Sequence, residues 1–163
     1  MLSYKNRLRK ELDRTSDNDE FQIVKTKENT IKVTFYSTDD SPYVGIPLNI
    51  IIIFPNVYPF NPPCVYFIPN IFHSNITGEG KLDIPLLKED WSPACTLEKL
   101  LLEIKSLFNK PFECNPLEID IVSDKGKEEE SEVIDICANM EALRLWKEDP
   151  ETLRQLVLSQ LNF

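Results

Sequence analysis

The sequence predicts an α+β domain with its helices at one side of an antiparallel meander. Three observations predict it. Four short segments of strand-like composition follow one another between Phe21 and Ile68, with turn residues between them. Apolar residues at helical spacing occur before and after that block. Strands grouped apart from helices is the pattern of α+β rather than alternating α/β folds. At 163 residues, with 42% hydrophobic and 28% charged residues, the chain 1–163 is expected to form one domain around its own core.

The elements follow in order. Leu8 and Leu12 lie one turn apart, and Lys5, Arg7, Arg9, Lys10 and Arg14 supply charge, so an amphipathic helix is expected first. Ser16 to Asp19 break it. Phe21 to Val24 and Thr30 to Tyr36 alternate as strands, with Lys27 to Asn29 as the turn between them. Asp39 to Pro42 makes a further turn. Leu48 to Phe54 follows, and its unbroken isoleucines predict burial on both faces or a central place in the sheet. Cys64 to Ile68 is the fourth strand.

No regular pattern covers Pro69 to Cys95, a long connection of the kind that is functional in compact domains. Thr96 is the expected N-cap of a helix carrying Leu97, Leu100, Leu101, Ile104, Leu107 and Phe108, which Pro111 ends. Residues 123–132 are polar and acidic and read as a surface loop. Val133 to Trp146 is a third helix. In the fourth, Asp149 caps, Pro150 takes the first helical position, and Leu153, Leu156, Val157 and Leu161 form the stripe.

Charge and cysteine usage narrow the function. A net charge of −9 argues against nonspecific binding to nucleic acid and to anionic membranes. The N-terminal segment is basic without a long apolar run, so neither a signal peptide nor an anchor is expected. The four cysteines, Cys64, Cys95, Cys114 and Cys137, form no CxxC pair, so no zinc and no other cofactor is expected. Reduced thiols fit a cytoplasmic or nuclear protein.

The most informative stretch is Tyr58 to Ala94. Tyr58-Pro59-Phe60 with Pro62-Pro63 is a turn in which three prolines fix φ and remove donors. His73-Ser74-Asn75 follows, then Trp91-Ser92-Pro93-Ala94, and later Asn115-Pro116-Leu117. In this order and spacing they resemble the ubiquitin-conjugating enzyme family: its Tyr-Pro-x-x-Pro-Pro turn, its His-Pro-Asn tripeptide with the proline replaced, the turn before its second helix and the segment after that helix. The resemblance spans nearly the whole chain apart from the acidic loop. It implies the fold of that family: an N-terminal helix, a four-stranded meander, a long active-site loop and three C-terminal helices.

The family keeps its cysteine ten residues beyond the histidine and three beyond a glycine; counted from His73 and Gly80, that position is Asp83. A second register, with gaps on both sides, sets Lys81-Leu82-Asp83-Ile84 against a Cys-Leu-Asp-Ile motif and puts lysine there. Neither register supplies a cysteine. The family's reaction needs a thiol that takes ubiquitin as a thioester and passes it to an amine. A carboxylate attacking a thioester would give a hydrolysis-prone anhydride. Asn75 stands at the oxyanion-stabilising position, where loss of a donor typically costs about 3 kcal/mol. An asparagine there also bonds loop backbone, so a structural role serves equally. His73 reads as a hydrogen-bonded structural residue, with no partner carboxylate at a visible spacing.

The resemblance also implies a ligase-docking face. Its matching positions are Arg7, Lys10, Phe60, Pro93 and Ala94: an exposed aromatic beside a Pro-Ala knob, with flanking cations. The expected protein is a ubiquitin-conjugating-enzyme-like domain without the thioester-forming cysteine. Its expected partners are a ubiquitin ligase, ubiquitin or a ubiquitin-like protein, and an active conjugating enzyme. The best-known inactive variants lack the last two helices, whereas Asp149 to Leu161 here still reads as helical, which favours the ligase among these. Two alternatives stand beside this reading. One is a working enzyme that uses Cys95, at the start of the second helix, or whose site cysteine has been replaced. The other is a structural interaction domain with no link to ubiquitin.

Overall fold

The computed structural model describes residues 2–110 and 140–162. Helix α1 spans Leu2–Thr15 and is followed by strands β1 (Gln22–Lys27), β2 (Thr30–Phe35), β3 (Leu48–Ile53) and β4 (Cys64–Phe67). Helix α2 spans Leu97–Leu107, residues 140–148 are helical (α3), and α4 spans Pro150–Gln160. The sheet order is β1-β2-β3-β4 with every neighbouring pair antiparallel, the simplest meander. The α+β arrangement expected from the sequence is the one found.

One face of the sheet makes the core. Ile31, Val33 and Phe35 of β2, Leu48, Ile50 and Ile52 of β3, and Val65 and Phe67 of β4 are buried. They join Leu8 of α1, five residues of α2, Leu145 of α3, and Leu153 and Val157 of α4 in one cluster. Each fully buried aliphatic side chain contributes about 2 kcal/mol of transfer free energy. Phe108 sits at the centre of an aromatic group with Phe35, Tyr43, Phe67 and His73, at centroid distances of 5.9, 5.0, 5.4 and 4.7 Å.

Several expected boundaries move. β1 starts after Phe21 and runs on to Lys27, leaving Glu28 and Asn29 as the turn. It is an edge strand with mostly exposed side chains, so no alternation marks its far half. Phe21 is buried but precedes the ladder. Tyr36, Phe54 and Ile68 likewise fall just outside their strands. β3 is central, between β2 and β4, but it is not buried on both faces: Ile51 is half-buried and Ile53 exposed. The helices cover only the other side, so central position alone explains its isoleucines.

The helix ends are chemical. The Thr96 hydroxyl accepts from the Lys99 amide at 3.2 Å, as an N-cap should. α2 ends at Leu107, ahead of Pro111, with Phe108 as its C-cap. Asp149 accepts from the Thr152 amide at 3.1 Å, and Pro150 takes the first turn of α4. Leu156 points outward and Leu161 is half-buried, so the α4 stripe narrows to Leu153 and Val157. The helical run of α3 continues past Trp146 to residue 148. Val133 to Asn139, the acidic stretch 123–132, Asn115-Pro116-Leu117, Cys114 and Cys137 lie outside the described residues.

Candidate functional site

The connection Pro69 to Cys95 is more ordered than its sequence pattern predicts. Tyr66 bridges Lys81 and Ile76 bridges Leu82, so the segment doubles back along β4, and Pro85–Leu87 form a 3₁₀ turn. Gly80 makes the reversal. Its φ is +83°, and a Cβ there would lie 2.8 Å from the Phe67 carbonyl oxygen. The Phe67 amide donates to the Gly80 carbonyl at 2.8 Å. Only glycine satisfies both the left-handed backbone and the close approach.

This reversal brings Asp83 to Asn75: the Asp83 amide donates to the Asn75 carbonyl at 2.8 Å. Lys81 instead pairs with Thr77, whose amide donates to the Lys81 carbonyl at 2.9 Å. Asn75 is buried. Its amide donates to His73 Nδ1 at 3.0 Å, and its Oδ1 accepts from the Ser74 hydroxyl at 3.3 Å. His73 is buried too, with Nε2 3.1 Å from the Leu107 carbonyl oxygen. Those partners fix the neutral tautomer with the proton on Nε2. Burial pushes the imidazole pKa down to about 4, against the smaller opposing pull of the Leu107 carbonyl. A ring so enclosed and so bonded holds the loop in place.

Asp83 itself faces outward, its side chain 45% exposed and ion-paired with Lys88. Both line a cleft of about 290 Å³ with Pro62, Pro63, Cys64 and Lys81. Cys64 is exposed at the start of β4 and shares this cleft with Asp83. Cys95 is 4% exposed, with its amide donating to the Ser92 carbonyl at 2.9 Å and its Sγ 3.8 Å from the Ser92 hydroxyl. Among the described residues no cluster of His, Cys, Asp and Glu is arranged to hold a metal ion.

The five expected docking residues fall into one connected region. Phe60 is 75% exposed, the most exposed large apolar residue described. Trp91 ties its turn to the Pro93-Ala94 knob, donating from Nε1 to the Pro59 carbonyl at 2.8 Å. Pro93 and Ala94 are exposed. Arg7 is not free: it pairs with Glu11 and reaches the Pro93 and Cys95 carbonyls at 3.3 and 3.4 Å. Lys10 is exposed and has no ion pair among the described residues.

Sequence reasoning missed Glu11. It is 4% exposed, and besides Arg7 it accepts from the Tyr58 hydroxyl and, at 3.1 Å, from the Leu97 amide at the start of α2. Burial and this contact push the Tyr58 phenol pKa upward. The signal was present: Glu11 stands three residues beyond Leu8, on the helix face that turns inward. The carboxylate also meets the orphan amides and positive dipole of the α2 N-terminus.

Residues 7–137 match the family model for ubiquitin-conjugating enzymes. With more than half of the chain matched and the fold in agreement, the protein belongs to the ubiquitin-conjugating enzyme family. Its place is in ubiquitin conjugation, among domains that meet ubiquitin and ligases. Among the described residues no helix is long and apolar enough to cross a membrane.

Proposed function

We propose that this family member recognises partners in ubiquitin conjugation without carrying ubiquitin as a thioester, and that it docks a ubiquitin ligase. The observation that carries the reading is Asp83. It stands ten residues beyond His73, its amide bonds to Asn75, and its carboxylate is paired with Lys88 at the cleft. A carboxylate held in an ion pair is a poor nucleophile, and its acyl product would hydrolyse. Burial of Cys95 removes the access that a ubiquitin-accepting thiol needs. Docking is supported by Phe60, whose exposed ring lies on a turn held through the Pro59 carbonyl by Trp91, two residues before the Pro93-Ala94 knob.

The test is a loading assay with activating enzyme, ATP and ubiquitin. The wild-type chain should give no adduct sensitive to reducing agent, and Asp83→Cys should give one. A thiol-sensitive band on the wild type would overturn the reading. One observation favours a second reading: Cys64 opens onto the same cleft as Asp83. That reading requires a wild-type adduct that Cys64→Ser abolishes. Ligase docking is tested by Phe60→Ala, which should weaken binding at least tenfold; unchanged affinity would remove the proposed face.

A further inference from the structure

A concavity of about 550 Å³ lies away from Asp83, between α1 and the start of α2. Its α1 wall carries Asn6, Arg7, Lys10, Glu11 and Arg14, and its far wall is Ala94 and Thr96. Residues 7, 10 and 14 are spaced three and four apart and share one helix face, where like charges repel. Arg7 is compensated by Glu11. Lys10 and Arg14 have neither a carboxylate partner nor a hydrogen bond among the described residues.

Glu11 offsets Arg7 but leaves Lys10 and Arg14 uncompensated. Its carboxylate turns inward to Tyr58 and the Leu97 amide. Ala94, with a single methyl, leaves the space open. The concavity is thus cationic on a chain whose net charge is −9.

We infer that this cavity is a binding site for a phosphate-class oxyanion. A phosphate monoester carries a charge of roughly −1.5 to −2 and three acceptor oxygens, matching two uncompensated cations with Arg7 beside them. A carboxylate offers one charge and would leave a cation unmet. Arg7, Lys10 and Ala94 also belong to the proposed docking face, yet the oxyanion binds the free chain, so this inference stands without a ligase.

The test is an NMR titration of the full-length protein at constant ionic strength. The probes are inorganic phosphate, then a mixed phosphoserine peptide pool against its unphosphorylated twin, with chloride as control. Phosphate should shift amides of residues 7–14 and 94–98. Lys10→Gln and Arg14→Gln, both at exposed positions, should each weaken binding about tenfold while leaving the Tm of the ligand-free protein unchanged. A phosphopeptide pool that binds more tightly than phosphate assigns the site to a phosphorylated partner; equal affinity assigns it to free phosphate. Shifts no larger than those from chloride, or wild-type affinity in the Arg14→Gln protein, would overturn the inference. Phe60→Ala separates the two proposals, because it should weaken ligase docking at least tenfold and leave the phosphate shifts intact.

Discussion

His73 is the residue at which the chemistry of the loop is most directly measurable. The unfolded chain takes up a proton near pH 6.5 that the folded ring refuses until about pH 4. Unfolding therefore binds a proton across that window. The stabilising contribution is complete above the unfolded pKa and is lost as the pH falls toward the folded one, by roughly 3 kcal/mol in all. Urea unfolding at pH 7 and pH 4.5 should show wild type losing more stability on acidification than His73→Gln, which has no imidazole to protonate. An equal loss in both proteins would mean that the ring is not enclosed as described. The same environment explains why His73 serves as a fastener: its two nitrogens are committed to Asn75 and Leu107.

At the scale of elements, α4 braces this loop from behind. Arg154 donates to the carbonyls of Pro42 and Val44, both at 2.9 Å, and Gln160 accepts from the Phe72 amide at 2.8 Å. Tyr43, in the same turn, donates to the Phe72 carbonyl at 2.6 Å and stacks near Trp146 of α3 at 5.5 Å. Arg154→Ala should cost about 2 kcal/mol, the loss of charge-assisted bonds to otherwise unsatisfied carbonyls. It should also speed amide exchange at Phe72, measured by hydrogen–deuterium exchange. The ends of this helix were legible because capping is local: Asp149 and Pro150 announce themselves, as Thr96 does for α2. β1 was legible only in part, because an exposed edge strand lacks the alternation that burial imposes. The hairpin-like return from Tyr66 to Leu82 was not legible at all. Its partners are few, and its geometry rests on one glycine approaching the Phe67 carbonyl. The register expected to set Asp83 at the family's cysteine position depends on that same Gly80. Cys64 joined the cleft only once β4 and the loop were folded against each other.

Across the whole molecule, Glu11 joins three segments distant in sequence: α1 through Arg7, the turn after β3 through Tyr58, and α2 through the Leu97 amide. Removing this buried carboxylate leaves the Tyr58 hydroxyl and the Leu97 amide unmet and strips Arg7 of its counter-charge. Glu11→Ala should therefore cost about 3 kcal/mol, with Glu11→Gln recovering part of it, as read from urea midpoints at constant m-value. NMR shifts in the variant should extend through the Tyr58 turn and the first turn of α2. Changes confined to α1 would contradict the shared role. The sequence exposes only half of this node: the spacing from Leu8 puts Glu11 on the inward face of the helix, but nothing in a linear pattern names Tyr58 and the Leu97 amide as its partners.

Phe60 follows Tyr58 by two residues, and Pro93 presents its carbonyl to Arg7. The apolar knob and the aromatic turn are thus wired to one inaccessible anion. A visitor seated on either of them rests on supports that meet at one carboxylate of the first helix.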